Sequence, residues 1–135
     1  MGAWNYYSFD NDAAADFAED FLENPSEAIL YEALATAAEE EGALETDEAS
    51  QALAAAEIVA AILGKPAQDL PTGLIPVIVR LEADGDELRE LAEAAVTAVL
   101  NNSALQEHWS ASADYGRWQG LQRDLLARLQ DDTDA

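Results

Sequence analysis

The chain has 135 residues, half of them apolar, no cysteine, and 28 carboxylates against six Lys and Arg, for a formal charge of -22. That length and apolar fraction suffice for one domain with its own core, and the lack of cysteine excludes a disulfide framework or a thiolate site. Direct nucleic-acid binding is disfavoured because no basic footprint is present to neutralise phosphates, and no apolar run reaches membrane-spanning length.

The opening MGAWNYYSFDND lacks the basic and apolar regions of a signal peptide, so a soluble, cytoplasmic protein is expected. Trp4, Tyr6, Tyr7 and Phe9 read as an aromatic plug on the core ahead of the first helix. Asp10, Asn11 and Asp12 form an N-cap cluster for a helix running to about Glu23. Its spacing turns Ala14, Phe17, Ala18, Phe21 and Leu22 inward and leaves Asp12, Asp16, Glu19, Asp20 and Glu23 as an acidic stripe. Asp10, Asp12 and Asp16 are weak candidates for a metal site. A calcium loop needs oxygen donors at alternate positions, a glycine turn and a distant bidentate Glu, whereas position 14 is Ala, so capping is the favoured role.

Asn24-Pro25-Ser26-Glu27 predicts the next start, with Asn24 as cap, proline in the first turn and Glu27 closing a capping box. Ile29, Leu30, Ala33, Leu34 and Ala37 carry that helix to Glu39–Glu41, where three carboxylates oppose the helix dipole and favour fraying.

Thr46 to Leu63 is the stretch around which the chain is organised. From Ala52 onward it is apolar on every side except at Glu57, the pattern of a buried helix; Thr46 is the expected cap, and Gly64 with Pro66 the stop. An unpaired buried carboxylate costs several kcal/mol or changes its protonation. Glu57 must therefore reach the rim, pair with an arginine or a helix N-terminus, or serve as a base or ligand.

Between Lys65 and Gly85, LPTGLIPVIVRL has the β-branched content of a strand but no partner strand, which favours a short buried helix from about Thr72 or Gly73 to Leu81 with Pro76 near its first turn. Leu88, Leu91, Ala92, Ala95, Val96, Val99 and Leu100 predict an amphipathic helix over Asp86–Leu100. Ser103 caps a further helix to about Ala113, with Gln106 in the capping-box position; it carries Trp109 and the only histidine, His108, which has no companion ligand or nucleophile. The last helix, from Asp114 or Tyr115 to about Gln130, lines up Trp118, Leu121, Leu125 and Leu129. Arg117, Arg123 and Arg128 lie on it and are expected to bridge to the acidic helices, while residues 131–135 are expected to be a disordered tail.

Met-Gly-Ala-Trp at the start, then Phe9-Asp10-Asn11-Asp12 and Ala15-Asp16-Phe17, resembles the opening of the bacterial and archaeal family called domain of unknown function 4259, whose members commonly begin MG[AT]WG-x-G-x-F-[DE]-N-D-x-A-x-D. Ala54 to Ala61, with Asn102, Ser103, Leu105, Trp109 and Trp118, extends the resemblance over nearly the whole chain, although Asn5 and Tyr7 stand where the family has glycine. The resemblance implies an α-helical domain and brings no established activity, cofactor or catalytic residue.

The combined expectation is a single all-α domain over residues 1–135, with six or seven helices around the buried central one. Trp4, Phe9, Asp10, Asn11, Asp12, Phe17, Glu57, Trp109 and Trp118 are its structural signature. Residues 1–64 hold 15 carboxylates and no Lys or Arg. Three functional readings follow: a non-enzymatic interaction module whose acidic half meets a basic protein, a structural domain whose acidity reflects a high-salt cytoplasm, and a metal-dependent enzyme using the N-terminal carboxylates with Glu57. No cofactor is called for, and the oligomeric state is left open.

Overall fold

Every residue from Ala52 to Ala60 is buried, which requires neighbours on all sides of one helix. Alanine at five of these nine positions keeps the backbone surface flat enough for those neighbours to approach closely. The computed structural model describes residues 12–40, 42–65, 70, 73–81 and 85–130, and among them it shows an all-helical domain of seven helices. They are α1 (Asp12–Glu23), α2 (Glu27–Glu39), α3 (Thr46–Ile62), α4 (Leu74–Leu81), α5 (Gly85–Asn101), α6 (Ala104–Ser110) and α7 (Tyr115–Gln130). The alanine-rich α3 packs against each of the other six. Beside it, α2 and α5 also pack on each other, and α7 lies on α5 and α3. Trp4, Phe9, Asp10 and Asn11, and the tail 131–135, lie outside the described residues.

Local chemistry sets the helix ends. Gly64 closes α3 at φ 93°, a conformation that L side chains avoid; its N–H donates to the Ala61 carbonyl at 2.9 Å and that of Lys65 to Ala60 at 2.8 Å, satisfying two carbonyls of the last turn. Ser103 caps α6 by accepting the Gln106 N–H at 2.9 Å, and its hydroxyl donates back to the Val99 carbonyl of α5 at 2.7 Å. The Gln106 side chain, expected to return to the cap, donates instead to the Tyr115 hydroxyl at 2.9 Å and ties α6 to α7. Leu44 donates to Asn102 at 3.1 Å and accepts from Ala104 at 2.7 Å, so the loop before α3 is pinned to the junction of α5 and α6.

Several expected details shift. Asn24 donates its N–H to Asp20 and so finishes α1, leaving Ser26 to cap α2 by accepting from Ala28 at 3.0 Å. At α3 the cap is Glu45, whose N–H donates to the Glu48 carboxylate at 3.4 Å, and Thr46 is already helical. The segment 74–81 is helical as expected but only half sunk: Leu74 and Ile78 are buried, while Ile75 and Val79 face outward. Leu22 is exposed, because it is displaced from the buried stripe of Ala14, Phe17, Ala18 and Phe21. On α7 the buried line is Trp118, Gln122, Leu125 and Leu129, with Leu121 only half-buried.

Candidate functional site

A carboxylate on α3 has nowhere to meet water, and Glu57 is buried. Its compensation comes from the far end of the chain. Arg128, in the last turn of α7, donates from Nη1 to Glu57 Oε1 at 3.0 Å and from Nη2 to Oε2 at 3.3 Å, a two-pronged pairing. Nη1 also donates to the Lys65 carbonyl at 3.0 Å, and Nε donates to Asp124 Oδ2 at 2.8 Å, one turn earlier on the same helix. Asp124 thus aims the guanidinium, with acid preceding base at the favourable spacing of four. Burial is the largest single influence on the Arg128 pKa and acts downward; the hydrogen bonds and charges of Glu57 and then Asp124 together outweigh it, and the net displacement is upward. This cluster is a staple: it joins α7 to the end of α3 and to the turn that follows. Glu57 thus has the arginine partner that a buried carboxylate calls for.

The remaining predicted residues divide between surface and core. Asp12 and Asp16 are exposed on α1, and among the described residues no group of three or more His, Cys, Asp or Glu is placed to hold a metal ion. Phe17, Trp109 and Trp118 are buried and serve the core. His108 is exposed, with its ring edge-on to Trp109 at 5.2 Å between centroids. Phe17 also borders a shallow cleft of about 200 Å³ between α1, α2 and α3, with Ile29, Glu32, Ala33, Thr36 and Gln51.

Glu32 and Thr36 also line a broader depression of about 520 Å³ along the outer face of α2, shared with Tyr31, Ala35, Glu39 and Glu40. Tyr31 is 55% exposed there, an aromatic ring set among carboxylates. Sequence reasoning passed over Tyr31, although a signal was present: it falls off the face drawn by Leu30, Leu34 and Ala37. Arg117 and Arg123 are exposed on α7 and make no ion pair with α1 or α2, so the expected bridging of arginines to the acidic helices is corrected. The bridge that does form runs from Arg128 to α3.

A family model described as Domain of unknown function (DUF4259) matches residues 2–120. The chain belongs to the DUF4259 family. No curated protein and no solved structure is significantly similar to it. The DUF4259 match takes in Glu57, Tyr31 and the start of α7, and ends before Asp124 and Arg128, so the staple joins a matched residue to two that lie beyond the match. Among the described residues no helix is long and apolar enough to cross a membrane.

Proposed function

We propose that this chain is a non-enzymatic interaction module whose acidic α1 and α2 surface engages a basic protein. The observation that carries this reading is that Asp16, Glu19, Asp20, Glu23, Glu32, Glu39 and Glu40 are all exposed while the arginines of α7 leave them unneutralised: Arg128 is turned inward to Glu57, and Arg117 and Arg123 make no ion pair among the described residues. Such a surface draws cations at long range and accelerates their encounter. Tyr31 adds short-range selectivity, since an arginine laid on its ring gains a cation–π contact while its N–H groups reach Glu32.

The test compares two triple variants of equal net charge. One carries Glu32→Gln, Glu39→Gln and Glu40→Gln in the α2 depression; the other carries Glu90→Gln, Glu93→Gln and Glu107→Gln on α5 and α6. Binding of a fluorescent oligoarginine peptide at low salt is read by anisotropy. The α2 variant should bind about tenfold more weakly, equivalent to ~1.4 kcal/mol, while the other stays close to the parent. Equal weakening in both would mean that only total charge matters. The interaction reading would then yield to a surface whose acidity answers the salt of its cell.

A further inference from the structure

Val77, Arg80 and Leu81 share one flank of α4, where residues three and four apart are neighbours. Between that flank and the end of α1 lies a cleft of about 340 Å³, lined among the described residues by Val77, Arg80 and Leu81 with Leu22 of α1 and Pro25 in the turn that follows it. The side chains of Leu22, Val77 and Leu81 hold no donor or acceptor and Pro25 has no N–H, so Arg80 is the polar group in this lining. Its side chain is exposed and makes no ion pair or hydrogen bond among the described residues. The setting runs against the rest of the chain. The formal charge is -22, yet α4 is the one described helix without a carboxylate, and no described carboxylate lines the cleft.

We infer that this cleft binds a small amphipathic monocarboxylate, an unbranched hydrocarbon chain that ends in one carboxylate. Arg80 holds the carboxylate, and Leu22, Pro25, Val77 and Leu81 cover the chain. Apolar walls with one placed polar group are the usual make-up of a small-molecule site, and the volume lies at the lower end of the range of about 300–1,000 Å³ that such sites occupy. Charge complementarity selects the occupant. A guanidinium presents parallel N–H groups that match the two oxygens of a carboxylate. A cationic ligand is repelled by Arg80 here and drawn instead to the acidic α1 and α2. A multiply charged anion is opposed by the whole chain in proportion to its own charge, with a single arginine in the cleft to offset it, so one negative charge is the most favoured.

The lining also sets which part of the ligand supplies affinity. The walls offer the chain no hydrogen bond, so each methylene contributes through burial alone, and affinity should rise by about two- to fourfold per carbon until the cleft is filled. The carboxylate supplies selectivity, because a neutral head leaves the guanidinium to water and an ammonium head opposes it. This preference is the reverse of the one proposed for the α2 depression, which draws cations. The two sites share no lining residue, so either can fail while the other stands.

Methyl-detected NMR titration of the full chain with octanoate below its micelle concentration tests the inference, at an ionic strength of about 0.15 M, where a Debye length of about 8 Å screens the repulsion from distant carboxylates. The expected result is saturable shifts at the methyl groups of Leu22, Val77 and Leu81, with hexanoate binding more weakly. Octylammonium, which has the same chain and the opposite charge, should shift these methyl groups less than octanoate does. Arg80→Gln should weaken octanoate binding by at least about tenfold and abolish its advantage over octylammonium, with an unchanged melting temperature because the side chain is exposed. Leu22→Gln, at a second exposed position, should flatten the dependence on chain length while the preference for a carboxylate remains. Octanoate that leaves the three residues unshifted overturns the inference. So do shifts spread evenly over exposed methyl groups such as those of Ile75 and Val79, octanoate binding that survives Arg80→Gln, and octylammonium bound more tightly than octanoate in the parent cleft.

Discussion

Glu57 and Arg128 illustrate how little a buried ion pair contributes in net terms and how much is lost when one member is removed. Taking both charges out of water offsets most of their attraction, but a lone survivor keeps the desolvation cost without the partner. Arg128→Met, which takes the guanidinium away from the 4%-exposed Glu57 side chain, should destabilise the chain by about 3–5 kcal/mol in urea denaturation. Glu57→Met should cost less, because Arg128 keeps Asp124 and the Lys65 carbonyl. The double Met variant should recover most of the loss, and a double variant as unstable as the sum of the singles would show that the two side chains do not act as a pair. The upward displacement of the Arg128 pKa determines the pH dependence of its contribution. A base whose folded pKa lies above its unfolded one stabilises fully below the unfolded value and loses that contribution only as pH rises through the folded value. For an arginine this window is strongly alkaline. The stability difference between parent and double variant should therefore stay level from neutral to mildly alkaline pH. Gln122 is the opposite case: it is fully buried, and neither its Oε1 nor its Nε2 has a hydrogen-bond partner. Gln122→Met should raise stability by about 1–3 kcal/mol, and a loss in denaturation would show that the amide is hydrogen-bonded after all.

Helices in this chain depend on their ends and their burial rather than on surface charge. In α1, Asp12 and Asp16, Asp16 and Asp20, and Glu19 and Glu23 stand four apart, each like-charge pair opposing an isolated helix by about 0.2–0.5 kcal/mol. Phe17 and Phe21 against the core are what hold it. At the end of α3, Gly64→Ala should cost about 1–2 kcal/mol from backbone conformation alone, since open space surrounds the position and no clash contributes. Thermal melting that matches the parent would show that the turn relaxes to another conformation. At α6, Ser103→Ala removes the acceptor of the Gln106 N–H and the donor to Val99 in a buried place, and a cost of about 1–2 kcal/mol by the same measurement is expected. That one residue caps one helix and closes another explains why a helix of only seven residues persists.

At the scale of the molecule, exposed carboxylates on α1 and α2 that make no ion pair with the arginines of α7 make self-repulsion a property of the native state, because an expanded chain would spread the same charges farther apart. Melting temperature at neutral pH should rise with added monovalent salt and level off once the screening length falls to about 3 Å near 1 M. A melting temperature indifferent to salt would show that core burial leaves repulsion without effect. The helical class, the buried α3, the stop at Gly64 and the cap at Ser103 were all legible in the order of residues, because periodicity and end hydrogen bonds act within a turn or two of the chain. Glu57 was legible as an anomaly. Its partner was not, since Arg128 stands 71 residues away and three α7 arginines were equal on paper until packing brought one of them to α3. Spacing likewise left open which flank of α4 would meet α3 and α1 and which would meet water, because a helix apolar everywhere but at Arg80 gives little internal reason to bury one apolar side rather than another. Burial of Gln122 and exposure of Leu22 belong to the same class of outcome. Each depends on where one helix comes to rest against another, and that placement is settled by the summed packing of all seven helices rather than by any neighbour in sequence.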